Sequence, residues 1–78
     1  MICIATFYSH FGAIRFKRDC DREGTPAKVM PVPRNLSSSC GTCVQFEGNP
    51  PQAIPQEVEQ IVCCEDNGYH MLYRAENA

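Results

Sequence analysis

The first twenty-four residues constrain the fold most. Ile2-Cys3-Ile4-Ala5-Thr6-Phe7 is an apolar run with β-branched members, and such a run reads as a buried strand. Ser9 follows as an N-cap, and Gly24 is the kind of residue on which a helix stops. The spacing therefore predicts a helix from Ser9 to about Glu23. At about 100° per residue, Ala13, Phe16, Lys17 and Cys20 share one face. Lys17 lends its alkyl stem to that face and sends its ammonium to solvent. Phe11 falls almost opposite, so it is either outside the helix proper or exposed.

The remainder alternates between short strands and breakers. Thr25-Pro26 reopens extended chain, because the residue before proline avoids helix. Lys28-Val29-Met30-Pro31-Val32 reads as a second strand, and Pro31 places it at a sheet edge because proline has no ladder donor. Val44-Gln45-Phe46-Glu47 alternates cleanly and reads as a third strand, broken by Gly48-Asn49-Pro50-Pro51. A second helix is expected from Pro55 to Asn67-Gly68, with a core stripe of Ile54, Val58, Ile61 and Val62. Tyr69 to Arg74 is the last strand. The order β-α-β-β-α-β predicts an α+β fold of the ferredoxin-like, split-βαβ kind: a four-stranded antiparallel sheet with two helices on one face. At 78 residues the chain is expected to be one small domain over residues 1–78.

Several function classes are excluded early. No apolar run approaches the ~20 residues of a membrane span. The apolar N-terminus lacks a basic leader, so the cytoplasm is the expected compartment and its thiols are expected to be reduced. The net charge of −2 divides unevenly: residues 1–39 carry +3 and residues 40–78 carry −5. Only Phe11 and Phe16 intersperse the bases of the first half, and no RNA-binding motif appears. Neither nucleic acid nor membrane is an expected partner. There is no Gly-rich phosphate loop, paired-carboxylate motif or Ser-His-Asp signature, so the chain does not read as a self-contained hydrolase, and no cofactor is expected.

Chemistry concentrates in the connection between the second and third strands. Hairpin loops usually run about 2–5 residues, yet this one extends from Pro33 to Cys43. It contains Arg34, Ser37, Ser38, Ser39 and Cys40-Gly41-Thr42-Cys43. Small serines let backbone amides turn toward a sulfur, Arg34 supplies a cation, and Gly41 gives flexibility just after the thiol. These features point to a reactive, partly exposed thiolate at Cys40. By strand alternation Cys43 faces away from Val44 and Phe46, beside Cys40, where it is either a resolving thiol or a position without a role.

The other candidates are weaker. Cys3 and Cys20 lie on a core strand and a core helical face and read as small buried hydrophobes. Cys63 and Cys64 fall on opposite flanks of the expected second helix. Zinc bound by Cys40, Cys43, Cys63 and Cys64 lacks the usual spacer in its second pair, so no metal site is expected. His10 follows the first strand and Cys40 the second, so in an alternating sheet they are expected at opposite ends. Both His10 and His70 therefore read as surface or cap residues.

The run Pro31-Val32-Pro33-Arg34-Asn35-Leu36-Ser37-Ser38-Ser39-Cys40-Gly41 closely resembles the signature of the selenium/sulfur carrier-like family of short bacterial proteins. The resemblance extends at lower strength over most of the chain. It implies that Cys40 is a carrier thiol holding a persulfide or selenosulfide, with Arg34, Ser37, Ser38, Ser39 and Gly41 shaping its loop. It also implies partners: a cysteine desulfurase or other chalcogen donor, and an acceptor enzyme. Cys43 departs from the family pattern, which usually has an aliphatic residue near this position; a neighbouring thiol could expel the terminal sulfur and leave a disulfide, or make release efficient. The expected function is therefore a carrier and not a stand-alone enzyme. The alternatives are a dithiol redox module using Cys40 and Cys43, and a non-enzymatic interaction module, for example a homodimer joined by sheet edges or through Phe11.

Overall fold

The computed structural model describes residues 1–76. Positions 77 and 78 of the expected single domain lie outside the described residues. The elements are β1 (Ile2–Phe7), α1 (His10–Glu23), β2 (Ala27–Pro31), β3 (Thr42–Glu47), β4 (Val58–Glu65) and β5 (Gly68–Arg74). The strands form one sheet in the order β2-β3-β1-β4-β5, with every neighbouring pair antiparallel. Among the described residues no helix is long and apolar enough to cross a membrane.

β1 is the central strand, which is why its sequence is apolar at successive positions: Cys3 to Phe7 are all buried. Cys3, Ala5 and Phe7 face the cluster under α1, while Ile4 joins Cys43 and Val62 on the opposite face. α1 starts and stops where its caps are written. The Ser9 hydroxyl accepts from the Gly12 N–H at 3.3 Å, and Gly24 takes the left-handed conformation at φ 77. Phe16 anchors the helix between Phe7 and Phe46, with ring centroids 5.4 and 5.3 Å away. Gly12 permits the approach: a Cβ there would stand 2.7 Å from Glu57 Cβ and 3.3 Å from Phe7 Cδ2. Pro31 lies on β2, an edge strand, where its missing N–H costs no ladder bond.

The ferredoxin-like expectation is overturned. The chain has one helix and five strands, not two helices on four strands. Residues expected as a second helix form β4, which turns through Asp66-Asn67 into β5, with Glu65 opposite Gly68. A bulge is the physical reason. Thr6 pairs with Gln60 but Phe7 pairs with Val58, so Glu59 is an extra residue in the strand. Val58 and Ile61, three apart, consequently reach the same core, and the strand imitates a helical stripe. Asn67-Gly68 was equally able to end a helix or to turn a hairpin. α1 packs mainly over β1, β2 and β3, and β4 reaches the same core through Val58, Ile61 and Cys63.

Candidate functional site

The site is built where three segments meet at one end of the sheet. β1 ends there, β3 and β4 begin there, and α1 starts just after β1. The β2–β3 connection, residues 32–41, folds across this end. Its base continues the ladder through Val32 N–H donating to the Gly41 carbonyl at 3.1 Å. Leu36 N–H donates to the Pro33 carbonyl at 3.0 Å, closing a turn with Arg34 and Asn35 at its corners.

The loop straddles the sheet. Leu36 packs on Ile4, Cys43 and Val62 with Tyr69, Met30 and Val32, on the face away from α1. Cys40 packs on the cluster beneath α1. Between these two contacts, polar side chains of β4 hold the loop backbone, and one of β5 holds a loop side chain. The Glu59 carboxylate accepts from Ser39 N–H at 3.1 Å and from the Ser39 hydroxyl at 2.6 Å. It also accepts from the buried Thr6 hydroxyl at 3.3 Å. Gln60 Nε2 donates to the Ser37 carbonyl at 2.7 Å, and the Tyr69 hydroxyl donates to Asn35 Oδ1 at 3.2 Å. The bulge that hid β4 is what turns Glu59 toward the loop.

Cys40 is half-buried, and its Sγ–H donates to the Thr42 carbonyl at 3.3 Å. Gly41 follows at φ +75, a conformation that L side chains rarely adopt. Ser38 Oγ is buried and has no hydrogen-bond partner among the described residues. Arg34 is exposed and makes no ion pair among the described residues. Cys43 lies fully buried on the face opposite Cys40, its Sγ–H donating to the Pro31 carbonyl at 3.7 Å. Burial, then the neighbouring Cys40, pushes the Cys43 thiol up to about 11.

The separation expected for His10 and Cys40 is corrected. Because β1 runs antiparallel to β3, the end of β1 and the start of β3 share one end of the sheet. His10 Nδ1 lies 2.7 Å from Thr42 Oγ1, two residues beyond Cys40. His70 pairs across from Cys63 on β5 and is exposed. Cys63 and Cys64 are adjacent on a strand and alternate faces, not flanks of a helix. Cys63 sits opposite Cys3, toward the other end of the sheet from Cys43. The four cysteines considered for zinc thus do not converge. Among the described residues no group of three His, Cys, Asp or Glu side chains could hold a metal ion.

Glu59, Gln60, Tyr69, Thr6 and His10 were not legible as site residues. The one usable signal was Glu59-Gln60, two polar residues inside an otherwise apolar run from Val58 to Cys63.

A family model described as "Putative Se/S carrier protein-like" matches residues 2–68, most of the chain. Neither the curated proteins nor the solved structures contain a match to it.

Proposed function

The chain belongs to the Se/S carrier-like family, and from that premise we propose that Cys40 carries sulfur or selenium between a donor and an acceptor enzyme. One observation carries the reading: a half-buried thiol stands on a loop whose backbone is tied to β4 on one side and to the sheet ladder on the other. A carrier needs a thiol that a partner can reach and whose position does not drift.

In loading, Cys40 loses its proton and its thiolate attacks the terminal sulfur of a donor persulfide. The donor S–S bond breaks, a new S–S bond forms on Cys40, and the donor thiolate takes up a proton. No net oxidation occurs. Discharge repeats the exchange, with Cys40 thiolate as the leaving group. A selenosulfide follows the same balance with selenium as the terminal atom.

Cys43 bears on the dithiol alternative. A resolving thiol attacks as thiolate, and Cys43 is fully buried on the far face with its thiol pushed up to about 11. This placement favours a carrier whose terminal sulfur is shielded from its sequence neighbour. To test the proposal, the protein is incubated with a cysteine desulfurase and L-cysteine and its intact mass is measured. The expected result is a one-sulfur gain that Cys40→Ser abolishes and Cys43→Ala retains. A gain that persists in Cys40→Ser contradicts the assignment.

A further inference from the structure

α1 presents to solvent a stripe that the fold does not use. Phe11 is 82% exposed, Ile14 is 52% exposed, and Tyr8 just before the cap is 38% exposed. Phe11, Ile14, Arg15 and Arg18 follow one another at helical spacing, on the side away from the buried Ala13, Phe16 and Cys20. The remaining exposed large apolar residues are dispersed: Met1 at the N-terminus, Val29 on edge strand β2, Met71 and Leu72 on edge strand β5. Single exposed apolar side chains are ordinary, whereas a concentrated apolar patch marks an interaction surface.

The patch has a charge and a location. Residues 1–18 contain Arg15, Lys17 and Arg18 and no acid. The first turn of α1 also has no acid to balance its positive end. Arg15 is paired with Glu57 and Lys17 with Asp21, while Arg18 makes no ion pair among the described residues. The stripe begins one residue after His10, whose ring is bonded to Thr42, two residues from Cys40. A surface seated on Phe11 and Ile14 therefore lies beside the end of the sheet that holds the thiol.

We propose that the Phe11–Ile14–Arg18 stripe is the docking surface for the donor protein that charges Cys40. Its partner offers an apolar hollow for Phe11 and Ile14, rimmed by carboxylates that face Arg18 and the helix end. The proposal rests on the carrier reading. A second copy of this chain is a poor occupant, because a two-fold contact sets the cationic stripe against itself.

The experiment compares loading in the cell with loading by a small molecule. The full chain, Phe11→Ser/Ile14→Ser, Arg18→Glu and the control Met71→Ser are recovered from the cell that makes the protein. The Cys40 peptide of each is weighed, and each protein is also treated with inorganic polysulfide. The expected result is that both stripe variants lose about tenfold or more of their in-cell load. They should still take sulfur from polysulfide as the wild type does, and Met71→Ser should match the wild type in both assays. In-cell loads equal to wild type overturn the docking surface. So does loss of polysulfide loading, which would place the damage at Cys40 itself. A solution dimer dissolved by the Phe11 substitution would assign the stripe to a second copy and also overturn it. A wild-type chain unloaded in both assays refutes the carrier reading, and the docking proposal with it.

Discussion

Two irregular connections of similar length leave the sheet, and they are held by different means. Residues 32–41 are polar and hold one thiol. Their backbone is held from outside by Glu59 and Gln60, and the Asn35 side chain by Tyr69, on elements far away in sequence. Residues 48–57 carry Pro50, Pro51 and Pro55 and are stiffened from within. They meet the rest of the molecule through Gly48, whose N–H donates to the Met1 carbonyl at 2.8 Å and whose carbonyl accepts from Cys3 Sγ at 3.4 Å, through Ile54, through Glu57 at Tyr8, Gly12 and Arg15, and through Pro55 at Val58. The difference teaches where precision is placed. The segment with the thiol is held by side-chain hydrogen bonds from distant strands, which can be adjusted residue by residue. The segment without one needs only to return the chain.

Glu59→Ala is the sharpest way to break this contrast. It removes the acceptor for both Ser39 donors and strands the buried Thr6 hydroxyl, at a cost of about 3 kcal/mol in urea unfolding. Amide exchange should accelerate in 36–40 and not in 48–57. A loss below about 0.5 kcal/mol, with Ser39 exchange unchanged, would show the loop to be self-supporting. Gly12→Ala probes the other segment. Its Cβ would meet Glu57 Cβ at 2.7 Å, and the helix must give way at a net cost on the order of 1–2 kcal/mol, read from thermal unfolding. Gly41→Ala has open space around it but must hold φ +75, so about 1 kcal/mol is expected. Slower alkylation of Cys40 by iodoacetamide should accompany it, since Gly41 sets the turn. Pro51→Ala should cost only about 0.5 kcal/mol, chiefly through the unfolded chain, and leave Cys40 alkylation unaltered.

A pH effect on stability is expected from Cys43. The Cys43 thiol is raised in the folded state, from 9.0 to about 11, so the native protein binds the extra proton. Its contribution to stability is full below about pH 9 and is lost as pH rises toward about 11. Denaturation midpoints measured across that window should fall less in Cys43→Ala than in the wild type.

Legibility followed the same division. α1 could be read from one stretch because Ser9, the Ala13–Phe16–Cys20 face and Gly24 are all local. The Cys40 loop could be read because its motif is contiguous and too long for a plain hairpin. β4 could not, because the bulge at Glu59 gives Val58 and Ile61 a helical interval. The residues that hold the loop were hard to read because the contacts are distant in sequence: His10, Glu59, Gln60 and Tyr69 reach Thr42, Ser39, Ser37 and Asn35 only through the antiparallel pairing of β1 with β3 and β4, and of β4 with β5.

The central claim is that one of the six cysteines carries the terminal sulfur. Cys64 is its most demanding rival, being exposed, although partial burial and then Cys63 raise its thiol. Cys3, Cys20 and Cys43 are buried and likewise raised. The direct measurement treats the native full chain with limiting inorganic polysulfide, quenches it, and maps the added sulfur over all six positions. The account predicts sulfur on Cys40 ahead of every other cysteine. Sulfur on Cys64 or Cys43, with Cys40 unmodified, would contradict it.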